Sequence, residues 1–170
     1  ATLRARDLNT VLPSAGAALL GLVYIFGAWR CAAELRWINP HWLMFALAIN
    51  WMGDTAAMYA GRTFGRRKLA PHVSPGKTWE GSLGSLAGSL VFAALYARFL
   101  TPSPLWQILL IAAAGNIAGQ IGDLCESALK RGAHLKDSST LLPGHGGWLD
   151  RVDSSLFSVP LVYFLVRIFG

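Results

Sequence analysis

The residues that could carry chemistry are concentrated in one run near the C-terminus, residues 127–153. This run holds three carboxylates, four Lys or Arg side chains, two histidines and a Gly-Gly pair. Carboxylates bind divalent cations, and lysine and arginine side chains bind phosphate oxygens. The combination is typical of a site for a polyphosphate and its divalent metal ion.

Three aspartates are the predicted metal ligands: Asp123, Asp150 and Asp153. Oxygen ligands without cysteine favour Mg²⁺, which binds one or two carboxylates together with substrate phosphates and water, and a second cation could join it. Asp150 and Asp153 are three residues apart, so they share a face if the last helix begins there. Asp150 could instead be the N-terminal cap of that helix.

Four cationic side chains are interleaved with these acids: Lys130, Arg131, Lys136 and Arg151. Interleaving suits a triphosphate–metal site, where negative charge is distributed over many donors. The same residues could be ordinary positive charges of a cytoplasmic loop. The glycines of His145-Gly146-Gly147 would let the backbone approach the phosphates closely, and His145 is either a substrate contact or a structural loop residue.

A second candidate phosphate contact precedes a predicted helix that starts at Trp79. Ser74, Lys77 and Thr78 lie around a predicted tight Pro-Gly turn, and amide groups at a helix N-terminus favour anions. A P-loop is excluded, because Pro71 stands where that motif needs glycine. The alternative is a helix cap beside a lysine that only records membrane orientation.

The elements that position these residues are predicted to be membrane helices. The chain has 170 residues, of which 54% are hydrophobic and 14% charged, and this composition excludes an ordinary soluble domain. We predict an all-α, polytopic transmembrane helical bundle that forms one domain over residues 1–170. About five apolar stretches approach the ~20 residues that a membrane-spanning helix needs. They lie near 11–29, 42–60, 82–100, 105–122 and 154–169.

The charge distribution predicts the orientation of these spans. Five of the 15 Lys and Arg residues lie between Arg62 and Lys77, and four lie between Lys130 and Arg151. The positive-inside rule places both loops in the cytoplasm, which leaves the C-terminus outside. Basic loops beside membrane helices record orientation and contacts with anionic lipids. The net charge of +6 therefore does not indicate nucleic acid binding.

Two polar stripes run along the predicted spans. One follows Asn50, Asp54, Ala57 and Gly61 at helical spacing. The second is longer and continuous, and its members are Asn116, Gly119, Gln120, Asp123, Ser127 and Lys130. Polar and acidic residues inside a span usually face the bundle interior or a wet cavity. Both stripes therefore predict inward-facing surfaces.

The run at 127–153 resembles the signature of the phosphatidate cytidylyltransferases, also called CDP-diacylglycerol synthases. Its order is Ser-x-apolar-Lys-Arg, Lys-Asp, His-Gly-Gly and Asp-Arg-apolar-Asp. The stretches at 54–65 and 74–81 resemble the same family, so the similarity covers about residues 50–155. Trp148 departs from the pattern, since the family usually has a smaller aliphatic residue there. The resemblance also implies a substrate contact at Asp137, next to Lys136.

The resemblance implies an enzyme that transfers a cytidylyl group from CTP to phosphatidate, giving CDP-diacylglycerol and pyrophosphate. It places Lys130, Arg131, Asp150 and Arg151 in the catalytic site, and we expect Asp123, the candidate metal ligand on the polar stripe, to act with them. It also implies a bacterial inner membrane location, an active site that faces the cytoplasm, contact with membrane lipids and a homodimer. Family members normally have several more spans before this region, so we expect an N-terminally truncated chain or a fragment.

Two other functions are compatible with parts of the pattern. A CTP-dependent polyprenol or phytol kinase also joins a nucleotide to a lipid, although the motif spacing argues against it. A non-catalytic membrane transporter or scaffold could use the acids as an ion path. That function predicts acids spread through several spans, whereas most of these acids lie at one end.

Overall fold

The computed structural model describes residues 11–100, 103–135, 137–139 and 147–169. Five α-helices and one β-hairpin make up most of this part of the chain. They are α1 (Val11–Ile38), α2 (Pro40–Phe64), β1 (Lys68–Ala70), β2 (Ser74–Thr78), α3 (Trp79–Tyr96), α4 (Leu105–Gly132) and α5 (Leu149–Phe169), with a short 3₁₀ helix at Ala97–Phe99. The predicted all-α helical bundle is confirmed.

Four of the helices, α1, α3, α4 and α5, are long and apolar enough to cross a membrane. The predicted span at 42–60 is helical, as part of α2, but α2 is not among these four. Instead, α2 contacts each of the other four helices. Its side chains Phe45, Ala46 and Ile49 are fully buried. The stripe of polar residues in α2 is therefore a feature of a central helix.

The hydrophobic core lies where α2, α4 and α5 converge. Trp42, Ile111 and Val162 belong to one buried cluster that also includes residues from α1 and α3. Between α2 and α3 the packing is closer still, because a Cβ atom on Gly84 would lie 2.4 Å from the Cβ of Ala60. Small residues at helical spacing let two membrane helices approach in this way. The packing of α2 against its neighbours therefore holds the bundle together.

The β-hairpin between α2 and α3 was not predicted. Its strands pair antiparallel, and the turn lies at residues 71–73, where the Val73 amide donates to the Ala70 carbonyl at 3.2 Å. The turn predicted at Pro75-Gly76 is therefore wrong, since both residues belong to β2. A two-stranded ribbon has free edges, where proline is tolerated.

Glu80 and Thr78 fix the hairpin on α3. The Glu80 carboxylate accepts hydrogen bonds from the backbone amides of Arg66 and Arg67. The Thr78 hydroxyl caps α3 by accepting from the Gly81 amide at 3.1 Å. Because Lys77 immediately precedes this cap, its position relative to α3 is set by local backbone geometry.

Candidate active site

An open cavity of about 350 Å³ lies between α2, the hairpin, α3 and α4. Its charged and polar lining comes from all four elements. The lining includes Asp54, Arg62, Lys77, Thr78, Ser82, Ser85, Gln120 and Asp123. A cavity of this size is at the lower end of the range for small-molecule sites, roughly 300–1,000 Å³. It is the candidate active site.

Lys77 and Asp123 form an ion pair across this cavity. Lys77 comes from β2, and Asp123 lies on the polar stripe of α4, so the two predicted parts of the site meet here. Their side chains are 27% and 31% exposed. Both groups are therefore accessible to a ligand, and each is desolvated enough for its charge to act strongly.

Two more carboxylates lie close to this pair. Asp54 of α2 interacts electrostatically with Asp123, Asp153 and Lys77. Asp153 of α5 interacts with Asp123, and it accepts hydrogen bonds from the amide and hydroxyl of Ser154. Asp54 and Asp123 thus line the cavity with Lys77, and Asp153 adds a third carboxylate beside Asp123. This excess of negative charge suits a hard cation that is also bound by phosphate oxygens.

Asp150 belongs to a separate cluster at the junction of α4 and α5. One carboxylate oxygen contacts the Lys130 ammonium at 2.6 Å. The other accepts hydrogen bonds from the amide of Gly147, at 2.6 Å, and from the amide and hydroxyl of Ser138, at 2.9 and 2.8 Å. Lys130 also contacts Glu126 at 2.5 Å, and the Glu126 side chain is only 2% exposed.

The predicted trio of metal ligands is therefore not assembled in one place. Within the described ranges, no three His, Cys, Asp or Glu side chains are grouped closely enough to hold a metal ion. Asp123 and Asp153 lie near each other, whereas Asp150 is surrounded by Lys130, Ser138 and Gly147. Lys130 contacts two carboxylates, so it does not reach into the cavity in this structure.

The remaining predicted residues are more peripheral. Ser74 is partly buried on β2 but does not line the cavity. Arg131 is exposed and donates to the Leu135 carbonyl at 3.1 Å, and Asp137 and Arg151 are exposed. Gly147 is buried beside Asp150. Lys136, His145 and Gly146 lie outside the described residues.

The structure adds cavity residues that sequence reasoning did not assign to the site. The charged and polar ones are Asp54, Arg62, Ser82, Ser85 and Gln120. Asp54 and Gln120 lie on the two polar stripes, so the helical spacing was a usable signal. Ser82 lies on neither stripe, and no pattern in the sequence indicates a role for it. Only the tertiary structure places it in the cavity.

Comparison with known proteins gives a consistent result. The sequence model of the cytidylyltransferase family matches residues 6–169. A phosphatidate cytidylyltransferase of Bacillus subtilis (strain 168) is 40% identical over 155 residues, which is 89% of this chain and 58% of the relative. A phosphatidate cytidylyltransferase of Haemophilus influenzae (strain ATCC 51907 / DSM 11121 / KW20 / Rd) is 42% identical over 132 residues, 73% of this chain and 46% of the relative.

The chain thus spans only about half the length of these relatives. The matched region nevertheless includes the hairpin, the cavity and both charged clusters. Because the family model covers almost all of the sequence, the assignment does not depend on one motif. The chain belongs to the cytidylyltransferase family.

Proposed function

We propose that this protein transfers the cytidylyl group of CTP to phosphatidate, releasing pyrophosphate and forming CDP-diacylglycerol. The observation that carries the proposal is the meeting of Lys77 and Asp123 in one cavity. Lys77 belongs to the stretch at 74–81 that resembles the cytidylyltransferase family, and Asp123 lies on the polar stripe of α4, four residues before the signature run. Family membership and the names of the relatives support the same reaction.

The phosphatidate phosphate is already an anionic nucleophile, so the reaction needs no covalent enzyme intermediate. One of its oxygens forms a bond to the α-phosphorus of CTP. The bond from that phosphorus to the bridging oxygen of the β-phosphate breaks, and pyrophosphate leaves in line. The main tasks of the protein are to hold the two substrates together and to neutralise their phosphates.

Lys77 is the proposed principal phosphate ligand in the cavity, and Arg62 of α2 is a second cation that lines it. A substrate phosphate that replaces Asp123 as the partner of Lys77 would keep the ammonium paired. Lys130, Arg131 and Arg151 remain proposed catalytic cations at the α4–α5 junction. Of these, Lys130 would have to leave Asp150 or Glu126 to contact a phosphate.

The donor set fits Mg²⁺. Asp54 and Asp123 line the cavity beside Lys77, and Asp153 lies near Asp123. Mg²⁺ needs only one or two such ligands when phosphates and water complete its shell. Asp123 is the proposed main ligand, with Asp153 from α5 and with Asp54 as an added candidate. Asp150, the other ligand predicted from the sequence, would have to leave Lys130 and Ser138 to join them. When bound, the ion would polarise the α-phosphate and stabilise the leaving pyrophosphate.

The membrane helices place the protein in the bilayer, where phosphatidate is found. We propose that the end of the bundle with the hairpin and the α4–α5 junction faces the cytoplasm, in the inner membrane of a bacterium. The basic residues at this end favour that orientation. Labelling of single cysteines at positions 72 and 138 in oriented vesicles tests it. Labelling from opposite faces would contradict the proposed orientation.

The reaction is tested by pyrophosphate release from CTP by the full-length protein in detergent. We expect release only when both phosphatidate and Mg²⁺ are present. A parallel reaction with a polyprenol or phytol tests the lipid kinase alternative. Release of CDP with a lipid alcohol, without pyrophosphate from phosphatidate, would overturn the proposal, as would inactivity on both lipids in a folded protein.

A further inference from the structure

The cavity has a charged part and an uncharged part. Lys77 and Asp123 define the charged part, and Ser82 and Gln120 line the uncharged part. Gln120 is one helical turn before Asp123 on α4, and Ser82 is one turn after Thr78 on α3. The uncharged part therefore lies deeper in the bundle than the hairpin. Its hydrogen-bonding groups are held by a buried network.

The network begins at a backbone carbonyl. The Ser89 hydroxyl is 2.6 Å from the carbonyl of Ile49, which can only accept, so Ser89 donates its one hydrogen there. Ser89 must then accept from its other partner, the Nδ2 group of Asn116, at 2.8 Å. The orientation of the Asn116 amide follows from this bond. Ser89 and Asn116 are both fully buried, so water does not compete.

Asn116 passes this orientation on to Gln120. With its Nδ2 group turned towards Ser89, its Oδ1 atom accepts from the Nε2 group of Gln120 at 2.7 Å. The second hydrogen of Nε2 is directed to the Ser82 carbonyl at 3.3 Å. Both N–H groups of the Gln120 amide are therefore used within the bundle.

Only acceptor capacity remains on the side chains of Gln120 and Ser82. The Ser82 hydroxyl donates to the Oε1 atom of Gln120 at 2.5 Å, which uses its single hydrogen. Oε1 has two lone pairs and has one left, and the Ser82 oxygen also keeps lone pairs. A ligand group that contacts these two side chains has to donate a hydrogen bond.

This requirement distinguishes cytosine from uracil and from the acyl esters of the lipid substrate. The ester carbonyls of phosphatidate and the O4 carbonyl of uracil offer only acceptors. The exocyclic 4-amino group of cytosine donates. We propose that Gln120 and Ser82, oriented by Asn116, bind the cytosine amino group of CTP and set the preference for CTP over UTP. This inference rests on the proposed function and adds the residues that select the base.

Four nucleotides test the proposal on the unaltered full-length protein. They are CTP, UTP, dCTP and the triphosphate of the 2-pyrimidinone riboside, which is cytidine without its amino group. Loss of one hydrogen bond should lower kcat/KM for the 2-pyrimidinone nucleotide about 3- to 10-fold relative to CTP. UTP places two acceptors face to face, and its kcat/KM should fall about 10- to 100-fold. We expect kcat/KM for dCTP to be similar to that for CTP.

The outcomes separate this proposal from the reaction itself. Pyrophosphate release with CTP tests the reaction, whichever nucleotide is preferred. Equal kcat/KM for CTP and UTP in an active enzyme would overturn the base-selecting role alone. A loss with dCTP but not with the 2-pyrimidinone nucleotide would mean that Gln120 and Ser82 bind the ribose, which also overturns it.

Two variants assign the effect to these residues. Gln120→Leu and Ser82→Ala should each lower the ratio of kcat/KM for CTP to that for UTP, mainly through the KM for CTP. The KM for phosphatidate should stay unchanged. Gln107→Leu is the matched control, because Gln107 lies on the same helix but outside the cavity. A folded Gln120→Leu enzyme with the wild-type ratio would contradict the proposal. If that variant does not fold, the four-nucleotide comparison decides.

Discussion

Two clusters at the same end of the bundle combine a lysine with carboxylates, but their surroundings differ. Lys77 and Asp123 line a cavity, and about a quarter to a third of each side chain is exposed. Lys130 is 18% exposed and contacts Glu126 and Asp150, whose side chains are 2% and 10% exposed. Asp150 also binds both Ser138 and Gly147.

The difference in exposure indicates two roles for a lysine–carboxylate ion pair. The Lys77–Asp123 pair is accessible, so a ligand can replace either residue as the partner of the other. The Lys130 cluster is enclosed, and its hydrogen bonds join the end of α4 to residues on either side of the segment before α5. Exposed ion pairs contribute little to stability, whereas removal of one partner from a buried pair is costly. The first cluster should therefore affect mainly activity and the second mainly stability.

The largest expected effect is that of Asp123→Asn. The substitution keeps the shape of the side chain but removes the charge proposed to bind Mg²⁺. We expect pyrophosphate release to fall by about 10²–10³-fold or more, the scale for loss of one transition-state stabilising group. The melting temperature in detergent should change little, because the pair with Lys77 is partly exposed.

Glu34→Gln is the matched control for Asp123→Asn. It also removes the carboxylate of an ion pair, in this case the pair of Glu34 with Arg30. Both residues are on α1, which does not line the cavity. This variant should keep wild-type activity. Near-normal, Mg²⁺-dependent rates for Asp123→Asn would place the metal site elsewhere.

Asp150→Asn should reduce stability, in contrast to Asp123→Asn. It leaves Lys130 with only Glu126 and replaces one acceptor oxygen by a donor. We expect a loss of about 3 kcal/mol in the free energy of unfolding, at the low end for a broken buried pair because Glu126 remains. Thermal unfolding in detergent measures this change, and activity should also be lost.

The control for Asp150→Asn is Asp137→Asn, which changes an exposed acid in the same region. Its unfolding should match that of the wild type within about 0.5 kcal/mol. An Asp150→Asn protein that is inactive but as stable as the wild type would mean that Asp150 acts chiefly on the substrate or metal.

Lys77→Ala should affect CTP binding more than stability. A charge-assisted contact with phosphate contributes about 1.5–3 kcal/mol, which corresponds to roughly 10- to 100-fold in kcat/KM for CTP. The free energy of unfolding should change by less than about 0.5 kcal/mol. Lys68→Ala, on the other strand of the hairpin, is the control and should be close to wild type. Unchanged CTP kinetics for Lys77→Ala would mean that the charge of Lys77 serves only the orientation of the protein in the membrane.

The smallest expected effect concerns the cap that positions Lys77. Thr78→Ala removes the hydroxyl that accepts from the Gly81 amide, and loss of such a cap costs about 1 kcal/mol. Thr78→Ser keeps the acceptor and should retain most of the stability. The melting temperatures of the two variants provide the comparison. Equal melting temperatures would show that the cap does not stabilise α3.

Much of the fold was predictable, and the errors have local causes. The apolar stretches and the two polar stripes predicted the helices and their inward faces. The hairpin was missed because its strands are only three and five residues long, and Pro75-Gly76 in β2 indicates a turn. The α2 helix was predicted as one more apolar span. Its polar residues instead belong to a central helix that forms one wall of the cavity.

The site was predicted in part for a similar reason. Lys77 and Asp123 are 46 residues apart, and each was identified from its own motif. Asp150 was grouped with Asp123 and Asp153 because all three are acids near helix ends. Sequence spacing does not include the donors from Ser138 and Gly147 that surround Asp150. Those contacts depend on where Ser138 and Gly147 lie relative to the start of α5.

The sequence by itself determined the class of molecule and the types of residue at the site. Hydrophobic length and periodicity are local properties, so they specify helices and their polar faces without knowledge of the fold. Only the tertiary structure decided which charges share a cavity and which are enclosed. It also fixed the direction of the hydrogen bonds from Ile49 through Asn116 to Gln120. Such relations depend on distances between helices, and α2, α3 and α4 come into contact only when the bundle packs.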